Sequence, residues 1–358
     1  MKNMKKIFLL SLLILFSCGE KSELKSKFPW SEYSLEEALA LNGDKIIFLD
    51  FYNDTWGGCI KLEAETLNDN KIIEFSNKYL IPIKIDAWDN KKGTEIFEQY
   101  DGVYIPLLIF LDGKGKEIER VVGYKNVEDF LNILNNVLNN TDTFMSLFEK
   151  YKQGDKNSNL IDKLSSKSEM KNNDSLSIEL YSIILSNELD YDSSITERAN
   201  FYFAKLALKD GDINKMNDFI VSYKGSSRIG DAYNQLAYYY KSNKDTLLEV
   251  NILKKMVNEF PDSPSLLNRY AWRMTEVNKE LNDALEKINI GLLLTEKIES
   301  SYPALLDTKA EVLWKMDLFD EAIEIINQAI EIDGDSQYYK DQKQKFKESK
   351  SKIKVNSI

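Results

Sequence analysis

The hydrophobic pattern of the chain changes period near residue 143. Before that point, short and nearly continuous apolar runs alternate with helical segments. Beyond it the strand signal vanishes and small residues return at a fixed distance: Ala204, Ala237 and Ala271 lie 33 and 34 residues apart. A unit of that length cannot bury its apolar face alone, so the pattern implies helical hairpins stacked in a line. The clearest unit is Leu306–Gly334. There Ala310, Ala322 and Ala329 fall where paired helices cross closely, and Leu313, Phe319 and Ile326 fill the large apolar positions. Ala271, Ala284 and Gly291 take the same roles one unit earlier, and Leu236, Ala237, Tyr240, Met256 and Pro261 one unit before that.

This spacing of small and large positions resembles tetratricopeptide repeats. The resemblance implies an α-solenoid over residues 143–345 with a concave groove that takes a peptide or partner protein. The alternative is a solenoid that only positions the first domain. Gln153–Ser175 is polar and reads as a linker plus a weak first repeat, with one helix at Leu160–Leu164. The aromatic-rich stretches at Tyr202-Phe203, Tyr238-Tyr239-Tyr240 and Tyr270-Ala271-Trp272 are expected to be packing residues. After Tyr339, seven lysines stand against Asp341 and Glu348. The basic tail, 346–358, is expected to continue a solvated capping helix, with an anionic membrane surface as an alternative partner.

Residues 28–140 carry a different pattern. Ser34-Leu35-Glu36-Glu37 is a capping box opening a helix. Lys45–Tyr52 and Leu80–Asp86 are apolar runs of strand length, as expected for strands buried on both faces. Helical segments follow at Leu62–Tyr79, with a break near Asn68-Asp69-Asn70, and at Thr94–Tyr100. Ile105–Leu111 and Lys116–Gly123 flank Asp112-Gly113-Lys114-Gly115, a hairpin turn, and Asn126–Leu138 closes with helical spacing. The order β-α-β-α-β-β-α predicts a mixed sheet with helices on both faces.

Three features of this region resemble the thioredoxin superfamily: Leu49-Asp50-Phe51-Tyr52 as the central strand, Ile105-Pro106 as the cis-proline pair, and Gly123-Tyr124 ending the last strand. The fold class is therefore α/β plus all-α, a thioredoxin-like domain followed by an α-solenoid. The resemblance implies that Asp50 lies beneath the active site and accepts a proton from the adjacent cysteine. It also implies that the backbone of Ile105, beside Pro106, pairs with an extended substrate.

The active-site segment departs from the family, whose motif is Trp-Cys-x-x-Cys. In Asp54-Thr55-Trp56-Gly57-Gly58-Cys59, Trp56 falls at the attacking cysteine and Cys59 at the resolving one. A dithiol cycle needs one thiolate to attack and a second to release the mixed disulfide. Three readings of Cys59 remain: a small residue packed at a helix start, a monothiol that forms mixed disulfides, or a nucleophile brought into place by an expanded loop. Peptide binding through Trp56, Gly57, Gly58, Ile105 and Pro106 needs no thiol, because main-chain hydrogen bonds can carry affinity.

At the N-terminus Lys2, Lys5 and Lys6 precede an apolar run from Ile7 to Phe16, too short to span a bilayer. Leu15-Phe16-Ser17-Cys18-Gly19 resembles the lipobox of bacterial lipoproteins. That implies a signal peptide at 1–17, acylated Cys18, and a tether at 18–27 holding the protein to a lipid bilayer on the extracytoplasmic side of the cell envelope. The chain has no histidine and two cysteines, which leaves no residues for Ser-His-Asp catalysis or a thiolate metal cluster. No metal or other cofactor is expected. Asp+Glu exceed Lys+Arg by 58 to 47, a poor match for nucleic acid. The expected function is a protein-binding scaffold or client-binding module with an extracytoplasmic protein or peptide partner. The alternative is a monothiol oxidoreductase or isomerase using Cys59 and Asp50.

Overall fold

The computed structural model describes residues 27–356, apart from 42, 90, 187–189, 300 and 335. The signal peptide, Cys18 and nearly all of the tether lie outside the described residues. The chain divides into two compact units, one ending at Leu180 and one beginning at Tyr181.

Strand β1 (Ile46–Tyr52) is built mostly of β-branched and aromatic residues, and six of its seven positions are buried. It lies at the centre of a four-stranded sheet of order β2-β1-β3-β4. Strand β2 (Leu80–Asp86) runs parallel to it, and β3 (Leu107–Leu111) antiparallel. Strand β4 (Glu117–Val122) pairs antiparallel with β3 through the expected hairpin. In that turn Asp112 Oδ1 accepts from the Lys114 and Lys116 N–H groups at 2.9 Å each.

Alternation along β1 divides the core. Phe48 joins Leu108 and Phe110 on one face, and Ile47, Leu49 and Phe51 join Leu107 and Ile109 on the other. The second face is covered by Ala38 of helix α1 (Leu35–Ala40) and Phe97 of a later helix, α4 (Lys92–Gln99). Ser34 and Glu37 form the expected reciprocal cap of α1. Helix α2 (Gly57–Leu62) passes into a π-helical turn at Glu63–Leu67. It starts earlier than the apolar pattern suggested, because Gly57 and Gly58 contribute no hydrophobic signal. Helix α3 (Asn70–Tyr79) restarts at Asp69, whose carboxylate accepts from the Lys71 N–H at 2.8 Å. Its Ile72 covers the first face together with Phe130 and Leu134 of α5 (Val127–Asn139). The Ile105–Pro106 peptide is cis, as the resemblance implied.

Past residue 143 the first unit continues as helices α6 (Phe144–Lys152) and α7 (Ser158–Met170) and the start of α8 (Asp174–Leu185), which runs past the unit's last residue, Leu180. The polar stretch read as a linker is thus largely helical. Two of its serines are interior: Ser165 and Ser168 are fully buried, and Ser168 Oγ accepts from Oγ of Ser177, just beyond the stretch and also buried, at 2.9 Å. Helices α6 and α7 pack on β4 through buried charge. Glu119 accepts from the Phe144 N–H at 3.1 Å and pairs with Lys167. Glu117 takes Arg120 in a two-pronged pair, 2.8 Å at each contact, and Lys171 at 2.5 Å.

The second unit is a run of helical hairpins: α9 (Ser193–Lys209) with α10 (Asn214–Ser222), α11 (Ile229–Ser242) with α12 (Thr246–Glu259), α13 (Pro264–Val277) with α14 (Leu281–Leu294), and α15 (Tyr302–Lys315) with α16 (Phe319–Ile332). Every alanine singled out by spacing is buried, from Ala204 to Ala329. A Cβ at Gly291 would stand 3.4 Å from Leu305 Cδ2 and 3.8 Å from Leu267 Cβ, which accounts for the smallest residue at that crossing. Enlarging Ala329 to leucine forces this packing apart and is expected to cost about 1–3 kcal/mol in chemical denaturation. Helix α17 (Gln337–Asn356) closes the unit. The expected tail begins inside it, at Phe346, which is fully buried with its ring 5.9 Å from that of Trp314. Tyr202 and Tyr270 are buried as expected, whereas Tyr238 is 69% exposed. No helix among the described residues is long and apolar enough to cross a membrane.

Candidate functional site

Parallel pairing of β1 with β2 brings the ends of both strands together, Asp50 opposite Lys84 and Tyr52 opposite Asp86. The loops that leave these ends are tied to each other. Asn53 Nδ2 donates to Asp86 Oδ1 at 3.3 Å, and the Trp88 N–H donates to the same oxygen at 2.9 Å. Asn53 Oδ1 accepts from the Thr55 N–H and hydroxyl at 3.0 and 2.6 Å, shaping the turn that delivers Trp56 to the start of α2.

Trp56 occupies the N-cap position with an extended backbone and no side-chain cap. Its indole lies against Gly58, where an added Cβ would meet Trp56 Cδ1 and Nε1 at 3.4 Å and Pro106 Cδ at 3.3 Å. Trp56, Gly58 and Pro106 therefore form one packed surface, and glycine at 58 is what lets the ring and the proline approach the helix. Gly57 beside them faces open space. Pro106 is fixed from behind by the Gly123 N–H, which donates to its carbonyl at 2.8 Å.

Cys59 is the single free cysteine of the described residues and is buried. It falls in the first turn of α2, a place that usually favours a thiolate. Burial overrides this and pushes the thiol up to about 11, helped by Asp50 and Asp54 and opposed by a backbone hydrogen bond at Asn53 and by Lys84. At neutral pH the sulfur is protonated.

Asp50 is wholly buried, and its carboxyl rises to about 7 because burial outweighs the attraction of Lys84. The lysine across the register is held elsewhere: Lys84 Nζ lies 2.6 Å from Glu63 Oε2 and 4.0 Å from the Tyr52 ring centre. Asp50 Oδ1 is left without a hydrogen-bond partner. Burial also opposes the charge on Lys84, but the Glu63 carboxylate more than offsets it and raises that ammonium. The arrangement pairs one protonated thiol with a carboxyl that can exchange a proton near neutrality, with no second thiol among the described residues.

Asp50 lies in β1 two residues before its end, Trp56, Gly57, Gly58 and Cys59 open α2, and Ile105 and Pro106 form the cis peptide. The residues missed from sequence are Glu63, Lys84 and Trp88. Trp88 stands two places after Asp86 and 47% exposed, its ring edge-on to that of Trp56 at 5.9 Å. Strand register was the signal that could have found it.

A thioredoxin-like domain model matches residues 34–138. The thiol:disulfide interchange protein DsbD of Pasteurella multocida (strain Pm70) is 26% identical over 103 residues. That match covers 28% of this chain and 18% of the relative, so the chain spans less than a fifth of that protein. Among solved structures, a DsbH oxidoreductase is 23% identical over 32% of this chain and 86% of its own, with a TM-score of 0.29. The first TPR domain of the human RPAP3 protein is 14% identical over 37% of this chain and the whole of its own, with a TM-score of 0.31. The chain is a thioredoxin-like domain followed by tetratricopeptide-like helical repeats.

Proposed function

We propose that this is a lipid-anchored, extracytoplasmic protein-binding scaffold whose thioredoxin-like domain holds an extended peptide at Trp56, Gly57, Gly58, Ile105 and Pro106 without dithiol chemistry. One observation carries the reading: the position of the family's attacking thiol holds Trp56, and the remaining thiol, Cys59, is buried and shifted away from the thiolate form. Main-chain groups stay available, since neither the N–H nor the C=O of Ile105 forms a hydrogen bond among the described residues. Val103 and Tyr104, just before it, are exposed and can flank a bound strand. The helical repeats supply a second recognition surface. The charged start, short apolar run and Cys18 junction support the anchor.

The test is iodoacetamide alkylation of Cys59 across pH in protein carrying Cys18→Ser. Alkylation is expected to be slow below pH 9 and to rise towards a half-point near 11. A fast reaction with a half-point below the free-thiol value of about 8.5 would overturn the reading. It would favour the second one, a monothiol exchange enzyme in which Cys59 passes its proton to Asp50. What supports that alternative is the raised, unpartnered carboxyl of Asp50.

A further inference from the structure

The two exposed tryptophans each keep about half of their surface open to solvent, and their surroundings bear on what they would bind. Trp56 and Trp88 are 49% and 47% exposed, and their rings stand at 78° to each other, two walls of an open corner. The corner is preformed, because Asp86 ties the loop of Trp56, through Asn53, to the backbone of Trp88. Aromatic faces in such a position attract either apolar groups or cations within about 6 Å. The charges nearby separate these options.

Three carboxylates lie within two residues of the tryptophans: Asp54 before Trp56, and Asp86 and Asp89 on either side of Trp88. Asp54 is exposed and forms no ion pair among the described residues. Asp89 is held ionised by the backbone N–H of Lys91 at 2.8 Å, with further bonds to Gly93 and Thr94. Of the nearby lysines, Lys84 is engaged by Glu63 and Lys92 by Glu36 at 3.0 Å, which leaves Lys91. The negative field is felt inside the site: after burial, Asp54 is the largest influence raising Tyr52, and it also raises Cys59.

We propose that the Trp56–Trp88 corner takes a lysine or arginine side chain of the bound peptide, held over the indoles and faced by Asp54. The proposal rests on the peptide-binding reading above and names the partner's chemistry: an extended segment bearing a basic residue. The corner adjoins Pro106 through Trp56 and Gly58, so a strand paired at Ile105 can present one side chain to it.

Calorimetric titration with short, end-blocked Val/Ser peptides that differ at one central residue tests this. The arginine peptide is expected to bind about tenfold more tightly than the leucine peptide. The glutamate peptide should bind most weakly, and the preference should shrink as salt is raised. Asp54→Asn, at an exposed site, should narrow the arginine preference, and Trp88→Leu should abolish it. Equal affinity for the three peptides, or a preference unchanged by Asp54→Asn, overturns the inference and leaves peptide binding standing. Binding of none of them overturns both.

Discussion

Replacing Asp50 with asparagine is expected to stabilise the first unit at pH 8 and to leave it nearly unchanged at pH 4. Burial raises this carboxyl from 3.8 to about 7, so between those values the folded chain keeps a proton that the unfolded chain has released. Native stability therefore falls as pH rises through that window. Below it both states are protonated and the carboxyl carries no charge penalty. Above it the fold holds a buried carboxylate whose Oδ1 has no hydrogen-bond partner, at a cost of about 4 kcal/mol. Asparagine removes the charge but buries an amide of its own, which trims the expected gain to about 2–3 kcal/mol at pH 8. Urea unfolding of both proteins at the two pH values measures this. A gain of equal size at both would contradict the assignment.

Lys167→Met should have the opposite sign and a similar size. It strips the buried Glu119 carboxylate of its countercharge and leaves it the Phe144 and Arg120 N–H groups, at 3.1 and 3.0 Å. Removing one partner of a buried pair costs about 3–5 kcal/mol. Lys167 keeps some exposure, so about 3 kcal/mol is expected at pH 8. Glu119 is already raised by its burial, so the loss should fade as the pH drops and the carboxyl protonates. Adding Glu119→Gln to the lysine variant should restore much of the loss. Limited proteolysis in the segment 153–175 should increase in the single variant and recede in the double one.

The two regions differ in how openly their structure is written in the residues. Strand β1 could be read because Ile46 to Phe51 bury both faces of a central strand, which leaves a nearly unbroken apolar run. The hairpins could be read because close helix crossings tolerate only alanine or glycine, and those recur at a fixed distance. Helices α6 to α8 were obscured because polar residues share their interior with the apolar ones. Ser165 donates to the Asp162 carbonyl, Ser168 accepts from Ser177, Lys167 pairs with Glu119 and Lys171 with Glu117, and a hydrophobic pattern counts such residues as surface. In the site, Asp50, Cys59 and Pro106 could be placed by their spacing around strand ends. Trp88 and Lys84 could not, because they arrive from β2 and its following loop, and only the pairing register brings them across. The exposure of Trp56 and the diversion of Lys84 to Glu63 are likewise properties of side chains in space.

The packing of α6 and α7 on β4 has a bearing on how this protein avoids sticking to itself. An outermost strand offers unpaired backbone groups to any other extended chain, and sheets need some device to blunt it. At the opposite margin, β2 carries Pro82, which lacks the N–H that a neighbouring strand would use. At β4 the device is the following helices, whose Phe144 N–H and Lys167 engage Glu119 and whose end brings Lys171 to Glu117. A fragment ended at 140 would uncover that margin and strand Glu119 without its lysine, inviting aggregation through the sheet. A fragment carried past Lys171 keeps the margin sealed.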